Sequence, residues 1–63
     1  MKTIVDYYIE YCHPDNDVWQ RTYDYYRNMA EVNNRIMEFK KMDYMRDVEC
    51  RVVERTQTFK LNS

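Results

Sequence analysis

A chain of 63 residues, 44% hydrophobic and 33% charged, is a single small folded domain rather than a disordered segment. Ten basic residues against eleven acidic ones leave a formal charge of −1, which argues against a polyanion as the main partner, because nucleic-acid modules usually carry a clear basic excess. Chains of this size bury only about 60% of the surface they expose when unfolded, so the core is thin and a disulfide, a metal or a partner is the usual remedy.

Residues 3–12 form the first predicted element. Val5, Tyr7, Ile9 and Tyr11 alternate with Asp6 and Glu10, a period of two rich in β-branched and aromatic residues, which reads as a half-buried strand. His13-Pro14-Asp15-Asn16-Asp17 follows as a loop, with Pro14 presetting φ and Asn16 able to take the left-handed conformation. The chain contains no glycine, so a two-residue hairpin turn is disfavoured and a five-residue loop is expected.

Residues 18–27 admit two readings. Val18, Thr22, Tyr25, Met29, Val32, Ile36 and Phe39 are spaced as one long helix requires, yet Val18 to Arg27 is stocked with strand formers, and Trp19, Tyr23 and Tyr25 share one parity. Asn28 followed by Glu31 resembles a helix-start box, which favours a strand over 18–27 and a helix over about 29–41. Met29, Val32, Ile36 and Phe39 are that helix's apolar stripe, and Lys40 and Lys41 suit its negative C-terminal end. Met42 to Met45 make the connection. Val48, Cys50 and Val52 then alternate with Asp47, Glu49 and Arg51 in a third strand, about residues 46–57, whose tail to Ser63 extends it briefly and frays.

The expected fold is α+β, in the order ββαβ: a three-stranded sheet of order 2-1-3 with the helix on one face, reached by a right-handed crossover. Strand parity puts Val5, Tyr7, Ile9, Tyr23, Tyr25, Val48, Cys50 and Val52 under the helix. The opposite face is open. It is expected to carry Ile4, Tyr8, Val18, Tyr26, Arg51 and Val53 as a partner-binding patch ringed by Asp6, Glu10, Asp24 and Arg55, because aromatic anchors with a charged rim are the anatomy of protein interfaces.

Catalytic chemistry finds little to use. The single serine is Ser63, the single histidine is His13 in a loop, and no glycine is available to cradle a phosphate. Cys12 beside His13 has no third group to orient it. Cys12, His13 and Cys50 lack metal-ligand spacing and a fourth ligand, and the two cysteines point to opposite sheet faces, which disfavours a bridge. The expectation is a non-enzymatic protein with reduced thiols, no metal, no cofactor and no small-molecule ligand. The chain start lacks an apolar segment and no apolar run approaches the about 20 residues of a membrane span, so the expected setting is the cytoplasm.

Ala30-Glu31-Val32-Asn33 in the helix and Cys50-Arg51 in the last strand give the chain a resemblance to the short accessory and anti-defence proteins of bacteriophages, the Dmd-type phage antitoxins above all. The resemblance implies a stoichiometric binder, an inhibitor of a host protein acting in the host cytoplasm. Three partners remain in view: a host protein on the open face, a nucleic acid stacking on the same face, which ranks lower because Asp6, Glu10 and Asp24 repel phosphate, and a second copy in a structural homodimer.

Overall fold

The computed structural model describes residues 1–60. It contains strand β1 (Lys2–Cys12), strand β2 (Gln20–Arg21), helix α1 (Met29–Lys41), a 3-10 turn (Asp43–Met45) and strand β3 (Glu49–Phe59). The strands form one antiparallel sheet in the order β2-β1-β3, and with α1 against one face this is the α+β fold that the periodicities imply.

β1 and β3 pair residue for residue from Lys2↔Phe59 to Cys12↔Glu49. Directly opposed residues share a face. One face therefore carries Tyr7, Ile9, Tyr11, Cys50 and Val52, and the other Ile4, Asp6, Tyr8, Glu10, Arg51, Val53 and Arg55. Cys12 and Cys50 lie on opposite faces, opposed to Glu49 and Tyr11 respectively.

The turn after β1 is closed by the Asn16 N–H donating to the His13 carbonyl at 3.0 Å. Asn16 does not need the left-handed region expected of it, and no described residue has a positive φ. Its side-chain oxygen instead accepts the Val18 N–H at 3.0 Å, and this local bond substitutes for a glycine turn. The connection consequently runs through Trp19, longer than the expected five residues.

The second strand departs most from expectation. Only Gln20 and Arg21 pair continuously, opposite Tyr11 and Glu10. The Thr22 N–H still donates to the Ile9 carbonyl at 2.9 Å, and Tyr26 then exchanges both backbone hydrogen bonds with Tyr7 at 2.8 Å each. Between these anchors Tyr8 and Ile9 face four residues, Thr22 to Tyr25, so the chain bulges away from the ladder. The excess of two preserves parity: Arg21 shares the face of Glu10, and Tyr26 shares the face of Tyr7. This is one residue out of step with the expected alternation, and a one-residue slip exchanges the two faces.

The helix starts where its cap is. Asn28 is extended and its side-chain oxygen accepts the Glu31 N–H at 2.9 Å, while the Glu31 carboxylate reaches back to the Arg27 N–H at 3.1 Å. Val32 and Phe39 are buried with Ile9, Met45 and Val48 in one small core; Ile36 is partly buried against it, and Met29, expected in the stripe, is exposed. β3 begins three residues later than expected because Met42 to Met45 turn through the 3-10 segment and sink Met45 into the core. It continues to Phe59; the expected fraying beyond residue 60 lies outside the described residues.

The core sits at one end of the sheet. Val5 is on the helix side yet 39% exposed, because β1 before Asp6 and β3 after Arg55 run beyond α1 as a two-stranded arm. The molecule measures 51 × 24 × 13 Å with a radius of gyration of 14.6 Å, against about 10.5 Å for a compact domain of this length.

Candidate protein-binding face

The face of the sheet away from α1 is organised around three arginines. Arg51, on β3 opposite Glu10, donates to that carboxylate at 2.7 Å and lies 4.0 Å over the Trp19 ring. Arg55, opposite Asp6, donates to both carboxylate oxygens at 2.9 and 2.7 Å and lies 3.9 Å over the Tyr25 ring. Arg21, from β2, lies 4.1 Å over Tyr8 and 5.3 Å over Tyr25 and donates to the Tyr25 hydroxyl. Tyr8 and Tyr25 meet edge to face at 6.0 Å. Aromatic rings and guanidinium planes thus alternate across the sheet, each cation lying on a π-face that attracts it.

Register explains why these groups meet. Antiparallel pairing sets Asp6 against Arg55 and Glu10 against Arg51, and the parity of β2 delivers Arg21 to the same face. The bulge lets Tyr25 lie across the sheet rather than along a straight strand. The bidentate guanidinium of Arg55 holds the Asp6 carboxyl below its ordinary range, and Asp6 in turn raises Arg55. Arg21 has no carboxylate partner among the described residues. With Glu49 opposite Cys12 and Lys2 opposite Phe59 on the same side, the face sets three carboxylates against three guanidiniums and one ammonium, and is locally positive on a chain of net negative charge.

Of the residues expected on this face, Ile4, Tyr8, Arg51 and Val53 are there, with Tyr8 and Val53 directly opposed at its centre. Tyr26 is on the other side, packed against the core, with its hydroxyl buried and without a hydrogen-bond partner. Burial raises its phenol above the ordinary value, Asp24 adds to the rise, and Arg35 opposes it. Val18 is exposed in the connection before β2. Tyr23 and Tyr25, expected under the helix, are not: Tyr23 is 93% exposed at the bulge, and Tyr25 is part of the arginine layer.

The residues missed were Trp19, Arg21 and Tyr25. A sequence signal for them existed. Placing Trp19, Tyr23 and Tyr25 in the core also places Arg21 there, and a buried guanidinium without a partner is costly.

Elsewhere, the Cys12 thiol donates to the Asn16 carbonyl at 2.9 Å, and burial raises the Cys50 thiol. Among the described residues no three His, Cys, Asp or Glu side chains are gathered as a metal site would need, and no helix is long and apolar enough to cross a membrane. No family model matches the chain, nor does any curated protein or solved structure.

Proposed function

We propose that this chain is a small non-catalytic binding protein whose open sheet face docks on another protein. The observation that carries the reading is the interleaved layer of Trp19, Arg51, Tyr8, Arg21, Tyr25 and Arg55 on a face that no other described element covers. Tryptophan, tyrosine and arginine are the residues that dominate protein-interface energetics. Here they are pre-ordered by stacking and ion pairing, so less rotamer freedom is lost on docking.

The same geometry weakens the nucleic-acid alternative. A base needs a free aromatic face, whereas Tyr8, Trp19 and Tyr25 each already carry a guanidinium, and Asp6 and Glu10 pair with two of the three guanidiniums. The resemblance to phage accessory proteins points to a host protein as the partner, to inhibition as the consequence and to the cytoplasm as the setting; the face itself speaks only for binding.

The test is photo-crosslinking in extract of the source's host, with a benzophenone amino acid at position 25 or, as control, at Met37 on the exposed side of α1. The expected result is a discrete, nuclease-resistant protein adduct from position 25 alone. Tyr8→Ala, folded by circular dichroism, should weaken that complex by about 2 kcal/mol. Adducts that vanish with nuclease, or between about 50 and 200 mM salt as counterion release dictates, would assign the face to nucleic acid. Adducts from Met37 alone would move the working surface to the helix.

A further inference from the structure

The outer edge of β3 presents a second surface that the docking face does not use. Tyr7 exchanges both backbone hydrogen bonds with Tyr26, and in an antiparallel ladder the direction of the N–H and C=O groups alternates. Odd residues of β1 thus bond toward β2 and even ones toward β3. By the pairing of Tyr8 with Val53, odd residues of β3 bond inward to β1. The N–H and C=O groups of Cys50, Val52, Glu54, Thr56 and Thr58 therefore point outward, where β3 has no neighbouring strand among the described residues.

Proteins usually blunt such an edge with proline, a bulge, a lysine or a covering element. At its beginning β3 is blunted: Lys40 Nζ donates to the Val48 carbonyl at 2.9 Å. From Glu49 to Phe59 there is neither proline nor bulge, and Arg51 and Arg55 are held flat on the open face by Glu10 and Asp6. The surface is also too large. A folded chain of 8.0 kDa should expose about 4,450 Å²; this one exposes 5127 Å², an excess close to the roughly 800 Å² that one partner buries in a stable interface.

We infer that the edge of β3 pairs antiparallel with the same edge of a second copy, about a two-fold axis at Gln57. Charge selects the occupant and the register. Centres at Arg51, Glu54 or Arg55 set like charges directly opposite one another, and a centre at Val53 opposes Arg51 to Arg55 of the other copy. Centres at Cys50 and Val52 make the Val52 or the Thr56 N–H compete with Lys40 for the Val48 carbonyl. A centre at Thr56 brings no opposite charges together. A centre at Gln57 opposes Glu54 to Lys60 of the other copy, twice by symmetry, with Thr56 against Thr58 and Arg55 against Phe59, and offers about eight backbone hydrogen bonds between Glu54 and Lys60. The arms, which extend past α1 in the monomer, lie side by side in the dimer. The product is one sheet of order 2-1-3-3-1-2, with both docking faces on the same side.

Sedimentation equilibrium of the full chain tests this. The wild type should pass from monomer to dimer as concentration rises. Thr56→Pro removes an outward N–H that β1 does not use, so it should abolish the dimer while circular dichroism stays folded. Glu54→Lys and Lys60→Glu should each raise the dissociation constant, by up to about fivefold for like charges placed opposite, and an equimolar mixture of the two should restore association whether or not the proline variant folds. Tyr8→Ala should dimerise normally, which separates this result from failure of the docking reading. A wild type that stays monomeric, no recovery in the mixture, or a dimer that breaks with Tyr8→Ala and survives at Thr56 would overturn the inference.

Discussion

Removing the hydroxyl of Tyr26 should stabilise this protein. The ring packs against the core on the α1 side of the sheet, and its oxygen is buried with no partner among the described residues. A buried hydroxyl left unsatisfied costs about 1–3 kcal/mol. The lower end applies here, because the Arg35 guanidinium is near enough to pull the phenol's pKa down against the effect of burial. Tyr26→Phe keeps the ring and its packing while deleting the oxygen, so a gain of about 1 kcal/mol is expected, which in a domain of this size raises Tm by roughly 4–8 °C. Differential scanning calorimetry of the two proteins at neutral pH measures it, with crosslinking from position 25 unchanged. A Tm lowered by several degrees would mean that the hydroxyl has a partner the geometry lacks. An unchanged Tm would mean that the phenol is solvated, as it would be on the open face, and would refute the β2 register from which both faces are derived.

Asn28→Ala removes the side-chain acceptor of the Glu31 N–H and should lower stability by about 1 kcal/mol in urea unfolding, with loss of helix signal confined to the first turn of α1 by backbone chemical shifts. Asp6 titrates below its ordinary value of 3.8 because Arg55 hydrogen-bonds its charged form. A depressed folded pKa contributes stability that is fully present above that ordinary value and lost as pH falls through the lowered one. Asp6→Asn should accordingly lower Tm at pH 7, and the difference between the two proteins should shrink as pH falls below the ordinary carboxylate value and through the lowered one; a difference that stays constant with pH would exclude the ion pair as its source.

The two proposed interaction surfaces share a cause in the thinness of the core. Among the described residues five side chains are buried, Ile9, Val32, Phe39, Met45 and Val48, and they occupy only the end of the sheet that α1 reaches. The rest of an 11-residue β1–β3 ladder has its faces and outer edge unburied. On the open face that surface is satisfied internally, by guanidiniums on rings and carboxylates; at the β3 edge it is not. The proposed docking and dimerisation would each remove apolar and backbone surface from water, and either one would add to a stability of roughly 0.05–0.15 kcal/mol per residue.

The elements with one dominant signal were legible in the sequence. β1 has apolar residues on one parity and acidic ones on the other, so its span and its two faces follow from alternation alone. The Asn28/Glu31 pair states where α1 begins, and the hydrogen bonds at that end are local, which is why they survive in the folded chain. β3 alternates Cys50 and Val52 with Arg51, and the order 2-1-3 follows from a helix that must return across β1.

What tertiary structure alone decided is the side to which residues 18–27 turn. Large aromatics stand there on both parities, Trp19, Tyr23 and Tyr25 on one and Tyr26 on the other, so alternation carries no information about which set is buried. The choice is made by pairing with β1, Glu10 with Arg21 and Tyr7 with Tyr26, and by a bulge that takes up two residues. The loop that sets this register is closed by Asn16 rather than by a glycine turn of fixed length. A period of two fixes which side chains travel together; only the hydrogen-bonded neighbour fixes which face they reach.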